Sequence, residues 1–379
     1  MKIAILEWSC GGGLLGTTAG QAERGLASEG WQMLKQLVTG LTEAHVEVLA
    51  AVDRRAVPKA DWSGLAQTVD LSRLAATSFE DVLRHWTEIA AQCDCAWIIA
   101  PEIDGVLPQV LERLRRDGHL LLNCCGAFLN NCADKRVTAH ALKTAGIRHP
   151  PTIALADVDS AWIAQTASQA TFAGRRGSEP QWIIKPGCGA GGAQQRLATG
   201  RQLLQAIPSA TQAWLVQPWL AGHSASCTAI VDTHGKRHWL PLVSQDFRRA
   251  PSISAPTRDS ATASRLAESP PRYIGCTYPS AALPQAAPSD LLEATIDALG
   301  PGAFGPVGVD LLFNPHTQAW TVIEVNARCT SSLLAMASAY RGNLVHDIFK
   351  LLTETSAAST DELCAKVRPF QFRIAGMGD

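Results

Sequence analysis

Short apolar runs alternate with longer amphipathic segments along the first third of the chain. The pattern predicts strands at 3–6, 46–52, 96–100 and 120–124, and helices at about 21–42, 79–92 and 106–116. Such an alternation indicates a parallel sheet with helices on both faces. Because ligands of these sheets lie beyond the carboxyl ends of the strands, we expect Glu7, Ser9, Gly12 and Glu102 to lie near a substrate.

The rest of the chain follows a less regular pattern that is rich in strands. It predicts a helix at 134–145, strands at 181–185, 213–217, 227–231 and 239–243, a helix at 288–299, a strand pair at 307–313 and 319–328, helices at 333–340 and 345–353, and an edge strand with a tail in 368–379. Residues 250–271 are rich in Ser, Pro, Ala and Arg without a period, which predicts a long loop. Such loops are usually functional or disordered.

Length and composition narrow the class of protein. The 379 residues suffice for two or three domains. A formal net charge of −1 gives no field that favours nucleic acid or an anionic membrane, and no apolar run is long enough to span a bilayer. The 11 cysteines lack the C-x₂-C spacing of metal or redox motifs. We therefore expect reduced, packed thiols and a cytoplasmic protein.

The strand pair near the end of the chain is the most informative segment. Asp310 stands alone in an apolar run, and the next strand ends in Glu324-x-Asn326-x-Arg328. A buried carboxylate is costly unless a cation or hydrogen bonds compensate it. Oxygen-bearing side chains on paired strands would suit Mg²⁺, which usually shares its shell with phosphates. The alternative is a strand pair whose polar side chains face solvent.

Two lysines precede that strand pair. Lys185 ends an apolar run and is followed by the glycine-rich segment 187–192, while Lys135 opens a predicted helix. Glycines let backbone N–H groups approach an anion, and a lysine adds a point charge. The segment is not a Walker A motif, because the lysine precedes the glycines. The candidate phosphate contacts are Lys135, Lys185, Gly189, Gly191 and Gly192.

Taken together, these residues resemble the ATP-grasp superfamily of ATP-dependent carboxylate–amine ligases. In that superfamily an Asp on one strand and a Glu-x-Asn on the next hold Mg²⁺ against the ATP phosphates, and Asp310, Glu324 and Asn326 match these positions. The resemblance implies ATP and Mg²⁺ as cofactors, with Mn²⁺ as an alternative metal. It also implies an ATP-grasp fold of class α/β: a parallel-sheet pre-ATP-grasp domain over 1–130, an α+β lid over 131–216 and a catalytic core over 217–379.

The resemblance also gives roles to the residues around the nucleotide. Lys135 and Lys185 would contact the ATP phosphates, with Lys185 also acting in catalysis. Gln217 and Trp219 would lie in the hinge that holds adenine. Ser224 stands where the superfamily usually has an acid for the ribose hydroxyls.

The reaction implied is phosphorylation of a carboxylate by ATP, followed by attack of an amine on the acyl phosphate. Arg328 would steady the phosphoryl group or the substrate carboxylate, because a guanidinium binds oxyanions bidentately. Arg272 is a further candidate substrate contact, and an exposed structural role fits it equally well. The partners expected are small molecules, a carboxylate and an amine, and a homodimer is left open.

Within the superfamily, the opening 5–13 and the segments 100–102 and 217–219 look most like the tyramine–glutamate ligase group of methanofuran biosynthesis. That likeness implies glutamate as the carboxylate and a role in one-carbon cofactor synthesis. Other ATP-grasp amino-acid or peptide ligases are an alternative.

Two further classes stay open. A regulatory protein that binds ATP without turning it over is one, and Ser224 in place of an acid favours it slightly. A dinucleotide-dependent oxidoreductase is the other, because Gly11, Gly13 and Gly16 match G-x-G-x-x-G after the first strand. The acid at Asp53 comes well beyond the usual offset of about 20 residues, which makes this class the weaker one.

Overall fold

The computed structural model describes most of the chain in three sheets and the helices that cover them. It describes residues 1–14, 21–56, 67–73, 78–173, 179–189, 192, 194–206, 213–248, 270–354 and 359–374, with only the backbone of 21–25 and 73. The predicted loop at 250–271 and the tail after 374 therefore lie almost wholly outside the described residues.

The first sheet is parallel, as the sequence predicted. Its strands are β1 (Lys2–Glu7), β2 (Glu47–Val52), β3 (Thr68–Asp70) and β4 (Cys95–Ile99), in the order β3-β2-β1-β4. The helices of this part are α1 (Gln21–Glu43), α2 (Phe79–Ala90) and α3 (Val106–Arg116). Alternate residues of β1 enter two hydrophobic cores: Ile3 packs with α1, and Ala4 packs with α2 and α3. The sheet is thus covered on both faces, which explains its continuously apolar strands.

The predicted strand at 120–124 is wrong. Only an isolated bridge forms there, between Ala96 and Leu121. Two residues further on, the Asn123 side chain accepts a hydrogen bond from Ile98 N (2.9 Å) and donates one to Ile98 O (2.8 Å). The amide side chain therefore occupies the groups of β4 that a neighbouring strand would use.

The second sheet is small and antiparallel. It contains β5 (Ile153–Ala154), β6 (Gln181–Pro186), β7 (Arg196–Thr199) and β8 (Trp214–Pro218), in the order β5-β8-β6-β7. Two helices, α6 (Ser160–Gln169) and α7 (Gly200–Ala206), accompany it around a separate core that includes Trp182 and Val216. The helices α4 (Gly126–Ala133) and α5 (Lys135–Thr144) precede it in the chain.

The third sheet is the largest and carries the predicted metal strands. Its strands are β9 (His223–Val231), β10 (Arg237–Trp239), β11 (Val243–Arg248), β12 (Arg272–Tyr278), β13 (Gly305–Asn314), β14 (Ala319–Asn326) and β15 (Phe370–Arg373). The order is β14-β13-β9-β11-β12-β15, with β10 paired to β9. Its helices are α8 (Ser289–Ala298), α9 (Ser331–Ser338), α10 (Leu344–Thr353) and α11 (Thr360–Ala365).

Two details of this sheet bear on the sequence predictions. The predicted strand at 239–243 is divided into the end of β10 and the start of β11, because Pro241 has no N–H for a ladder. Over the whole fold, the sequence did not predict the strands β3, β5, β7 and β12 or the helices α4, α6, α7 and α11. The predicted edge strand is confirmed as β15, at one end of the sheet.

The predicted division at 130 and 216 stays a prediction, although the packing bears on it. Helix α5 contacts α8 and β14, so it packs on the third sheet although its sequence lies in the predicted lid. Both large hydrophobic cores contain residues of the first and third sheets. Among the helices that the structure describes, none combines the length and apolar character that crossing a bilayer requires.

Candidate active site

The hairpin of β13 and β14 brings two carboxylates side by side. Asp310 pairs with Glu324 across the two strands, and the register then shifts so that Leu311 pairs with Val322. This bulge leaves Ile323 as an extra residue on β14. In a regular strand neighbouring side chains face opposite sides, whereas here both Ile323 and Glu324 line one cleft. A β-bulge re-aims side chains in this manner beside functional sites.

Asp310 lies in an environment that disfavours its charge. Burial, and then the neighbouring charge of Glu324, raise the pKa of Asp310 to about 6. Two amides hydrogen-bond its carboxylate: Gln245 Nε2 donates to Oδ1 (2.9 Å) and Asn326 Nδ2 donates to Oδ2 (3.2 Å). The pair of acids therefore carries negative charge that amide dipoles compensate only in part.

Lys135 connects the hairpin to the glycine-rich segment. Helix α5 begins at this residue because Asp134 caps it, accepting a hydrogen bond from Arg136 N (2.8 Å). From there Lys135 Nζ reaches Glu324 Oε1 (3.0 Å) and Gly189 O (2.6 Å). Burial opposes the charge of the lysine, but Glu324 and Glu102 outweigh it and raise the pKa of Lys135.

Lys185 is the most deeply buried cation of the group. It lies in β6 and is only 4% exposed. Burial lowers the pKa of Lys185 to about 8, although Glu324 and Asp310 favour its charged form. For Glu324 burial opposes ionisation, yet Lys135 and then Lys185 keep its pKa below the usual value. The two predicted phosphate lysines thus converge on the two predicted metal carboxylates.

A cleft between α5 and β14 runs beside these charges. The residues that line it are Lys135, Thr138, Ala139, Leu142, His149, Pro150, Gln217, Ile323 and Glu324. Gln217 comes from β8 of the second sheet, and its Nε2 donates to Thr152 Oγ1 (2.8 Å), which fixes the orientation of the amide. The cleft therefore lies where the second and third sheets meet, and it ends at the charged cluster.

The donor set at the hairpin fits Mg²⁺ as one part of a shared shell. Within the described residues, no group of three or more His, Cys, Asp or Glu side chains is placed to hold a metal ion. The protein donors are the carboxylates of Asp310 and Glu324 and the Asn326 amide. Mg²⁺ is commonly bound by one or two carboxylates, with phosphate and water completing its octahedron. Such a cation would stabilise the ionised form of Asp310, which burial and the neighbouring Glu324 disfavour.

Arg328 joins this cluster to the first sheet. Its Nε lies 2.9 Å from Oε1 and 3.0 Å from Oε2 of Glu102, which follows β4, and its Nη1 donates to Cys329 O (3.1 Å). Burial disfavours the guanidinium charge, but Glu102, Glu29 and Glu324 together raise the pKa of Arg328. Glu102, predicted as a substrate contact, is therefore engaged by a protein cation.

The loop after β1 is held by close packing. Gly11 N donates to Glu7 O (2.6 Å), and Trp86 Nε1 donates to Gly11 O (2.8 Å). A Cβ at Gly13 would lie 2.1 Å from the Trp8 ring. These glycines thus permit close approach of backbone and rings. Gly16 lies outside the described residues.

Three predicted substrate residues, Glu7, Ser9 and Gly12, are buried in this loop. Glu7 Oε2 accepts a hydrogen bond from Cys10 N (2.6 Å). Burial is the main reason why the pKa of Glu7 rises from 4.5 to about 7, and the charge of Glu29 contributes in the same direction.

We expect Glu7→Gln to change how stability depends on pH. The folded protein holds the Glu7 proton up to about pH 7, whereas the unfolded chain releases it near 4.5. The wild type therefore loses stability as pH rises through this window, and the variant does not. The variant should be more stable than the wild type by about 3 kcal/mol at pH 8 and equal to it below pH 4.5.

Urea unfolding at several pH values measures this difference. Glu43→Gln, at an exposed position at the end of helix α1, is the control and should leave the pH profile unchanged. A constant difference between Glu7→Gln and wild type across this range would contradict the prediction.

Other predicted residues are not brought into the cluster. Arg272 is exposed at the start of β12, and Gly192 is exposed. Trp219 makes backbone hydrogen bonds to Gln181 and Ala173 of the second-sheet region. Gly191 lies outside the described residues, and Ser224 pairs with Leu312 on β13.

Several residues of the site were missed by sequence reasoning. They are Gln245 on β11, which donates to Asp310, and Glu29 on α1, whose charge acts on Arg328. Ser331 at the start of α9 interacts with Glu29, and its hydroxyl lies 3.3 Å from that of Tyr273 on β12. Glu29 lies in an amphipathic helix where an acid is ordinary, so the sequence carries no local signal for it. Tyr273 stood next to a predicted candidate, Arg272, and the alternation of a strand separates the two.

The comparisons agree with this architecture. Residues 132–332, more than half of the chain, match the ATP-grasp domain, so the chain belongs to the ATP-grasp family. Residues 46–127 match the pre ATP-grasp 3 domain. The predicted fold, a pre-ATP-grasp parallel sheet followed by an ATP-grasp domain, is thereby confirmed. No curated protein matches the chain by sequence.

Among solved structures, an ATP-grasp superfamily protein from Archaeoglobus fulgidus is similar at 17% identity and a TM-score of 0.59, covering 98% of this chain and 92% of that one. N5-carboxyaminoimidazole synthetase from Staphylococcus aureus complexed with ADP is 14% identical (TM-score 0.60; 94% and 78% covered). Biotin carboxylase from Campylobacter jejuni is 14% identical (TM-score 0.63; 97% and 73% covered). At these identities the likeness concerns the fold.

Proposed function

We propose that the protein is an ATP- and Mg²⁺-dependent ligase that joins a carboxylate to an amine through an acyl phosphate. One observation carries the proposal. Lys135 and Lys185, which lie on separate elements, both favour the ionised form of Glu324. Glu324 pairs with Asp310 across the two strands and lines a cleft. A protein that no longer turns ATP over would usually have lost a metal ligand, whereas both carboxylates and both lysines are present here. The regulatory alternative is therefore the weaker candidate.

The lysines would position the phosphates of ATP. Lys135 Nζ already bridges Glu324 and the carbonyl of Gly189, so a phosphate at this point would meet a fixed cation. Lys185, with its pKa near 8, would gain charge when a phosphate approaches. Such positioning and charge neutralisation supply most of the catalysis in phosphoryl transfer. Gln217 in the cleft is the contact we propose for adenine, with Trp219 beside it in the hinge.

Asp310, Glu324 and Asn326 would hold Mg²⁺, which when bound supplies positive charge to the phosphate oxygens. Arg328 would then meet the substrate carboxylate or the transferred phosphoryl group. Its Nε and Nη1 are engaged, whereas no described contact involves Nη2. We therefore expect Nη2 to bind the oxyanion.

For the substrates, we propose an amino acid such as glutamate as the carboxylate, in methanofuran-type one-carbon cofactor biosynthesis. The support is the likeness of 5–13, 100–102 and 217–219 to the tyramine–glutamate ligase group. Another amino-acid or peptide ligase of the ATP-grasp family is the alternative.

An assay of ADP release tests the function. The enzyme is incubated with Mg-ATP and a panel of carboxylates and amines that begins with glutamate and tyramine. We expect ADP only when both partners are present, with an amide of matching mass. Tight binding of Mg-ATP without turnover on any pair would contradict a ligase and support the regulatory alternative.

A further inference from the structure

Helix α1 brings an acid, Glu29, to the edge of the first sheet. The next residue, Gly30, lies directly against the end of β1, because a Cβ there would be 2.4 Å from Glu7 Oε1. The helix can approach this closely only because it has no side chain at that point. Glu29 therefore lies beside the carboxyl end of β1, where ligands of parallel sheets bind.

Three elements converge on Glu29. Arg328, after β14, and Ser331, the first residue of α9, both interact with its carboxyl group and favour its ionised form, but burial outweighs them and raises the pKa of Glu29. Ser331 Oγ in turn lies 3.3 Å from Tyr273 Oη on β12. This distance is long for a bond between hydroxyls, whose usual value is about 2.7–2.8 Å. Both hydroxyls therefore keep capacity for another partner.

Burial raises the pKa of both acids at this edge, Glu7 and Glu29. Arg328 is the cation here, and its Nε is shared by both oxygens of Glu102 at 2.9 and 3.0 Å. Among the described side chains, neither Glu7 nor Glu29 forms an ion pair within 4.0 Å. A cationic group bound here would stabilise the ionised form of Glu29, which burial disfavours.

The oxygens available match one particular cation. A primary ammonium has three N–H donors and no acceptor. The Glu29 carboxylate, Ser331 Oγ and Tyr273 Oη offer three acceptor groups from three separate elements. A metal ion would be less suited, since two of the three are neutral hydroxyls and only one is a carboxylate.

We propose that Glu29, together with the hydroxyls of Ser331 and Tyr273, binds the ammonium group of the amine substrate beside Arg328. This subsite rests on the proposed ligase function and defines the amine as a primary amine that arrives charged. It adds a specificity-determining residue to the site, and the phosphate and metal contacts stay as described. Arg328 would face the carboxylate while Glu29 faces the amine. Before the attack the ammonium would pass one proton to the Glu29 carboxylate, and the free amine would then form the amide bond as phosphate leaves the acyl phosphate.

Hydroxylamine separates this subsite from the rest of the reaction. It traps acyl phosphates and is uncharged near neutral pH, so it does not need an ammonium site. We expect Glu29→Gln to raise the KM for the amine about tenfold or more, because a charge-assisted hydrogen bond is lost. ADP release and hydroxamate formation with hydroxylamine should stay within about twofold of wild type. Glu43→Gln, exposed on the same helix, is the control.

The outcomes distinguish the subsite from the function. If wild type releases no ADP with any carboxylate and either nucleophile, the ligase function is wrong and the subsite falls with it. If wild type is active and Glu29→Gln slows both nucleophiles equally, or leaves the KM for the amine unchanged, the subsite is wrong while the function stands. Tyr273→Phe keeps the ring and should raise the KM for the amine about threefold. This variant tests the subsite if Glu29→Gln does not fold.

Discussion

Glu324→Gln is expected to reduce ATP turnover about a thousandfold or more. The change removes a carboxylate that faces Lys135 at 3.0 Å, acts on Lys185 and pairs across the strands with Asp310. Loss of a metal ligand removes several kcal/mol of charge stabilisation in phosphoryl transfer, and each 1.36 kcal/mol is a factor of ten. ADP release from the active pair of substrates, measured at saturating Mg-ATP, gives this ratio.

The size of the amide matches that of the carboxylate, so the bulge and the packing of Ile323 should be kept. Glu112→Gln, at an exposed position on α3, is the matched control and should leave turnover unchanged. Circular dichroism and thermal melting check that both variants fold. Turnover of Glu324→Gln within tenfold of wild type would show that our metal assignment is wrong.

Arg328→Met is expected to destabilise the protein and to abolish turnover. The change leaves Glu102 buried without its cation, and removal of one partner of a buried pair costs about 3–5 kcal/mol. Glu102→Gln combined with Arg328→Met removes both charges. We therefore expect the double variant to regain most of the lost stability and to stay inactive, because the oxyanion contact is still absent.

Urea unfolding of the wild type, both single variants and the double variant gives the coupling energy of the pair. The pair Arg116 and Glu112 on α3 is exposed and serves as the control cycle, with an expected coupling of about 0.5 kcal/mol or less. A double variant that is as unstable as Arg328→Met would mean that the arginine stabilises the fold by packing, and a turnover that recovers with stability would remove Arg328 from the chemistry.

Much of the fold follows from the local sequence. The segments 106–116 and 79–92 show helical periodicity, and the strands β1, β2 and β4 are continuous apolar runs, so the parallel sheet was predictable. The wrong prediction of a strand at 120–124 has a cause that the pattern of apolar residues does not show. Whether 120–124 pairs as a strand depends on how the Asn123 side chain binds Ile98, a contact that no periodicity reveals.

The parts of the candidate site that lie close together in the sequence were predictable. Asp310 and the Glu324-x-Asn326 triplet lie on one hairpin, and Lys185 adjoins its glycines. The resemblance to the ATP-grasp superfamily then related these two segments to one site. Glu29 and Tyr273 could not be found in this way, because they are separated by more than two hundred residues and meet through the packing of α1 and α9. The bulge that turns both Ile323 and Glu324 toward one cleft was also invisible in the sequence.

The ion pair between Glu102 and Arg328 has a consequence for how such proteins can diversify. It ties the strand ends of the first sheet to the turn after β14, and the hydrophobic cores run through both parts. An N-terminal half taken from a relative would need an acidic residue at the position of Glu102. Otherwise Arg328 would be buried without a counter-ion. New substrate preferences in this family are therefore expected to arise by point substitutions within one chain more readily than by recombination of N-terminal and C-terminal halves.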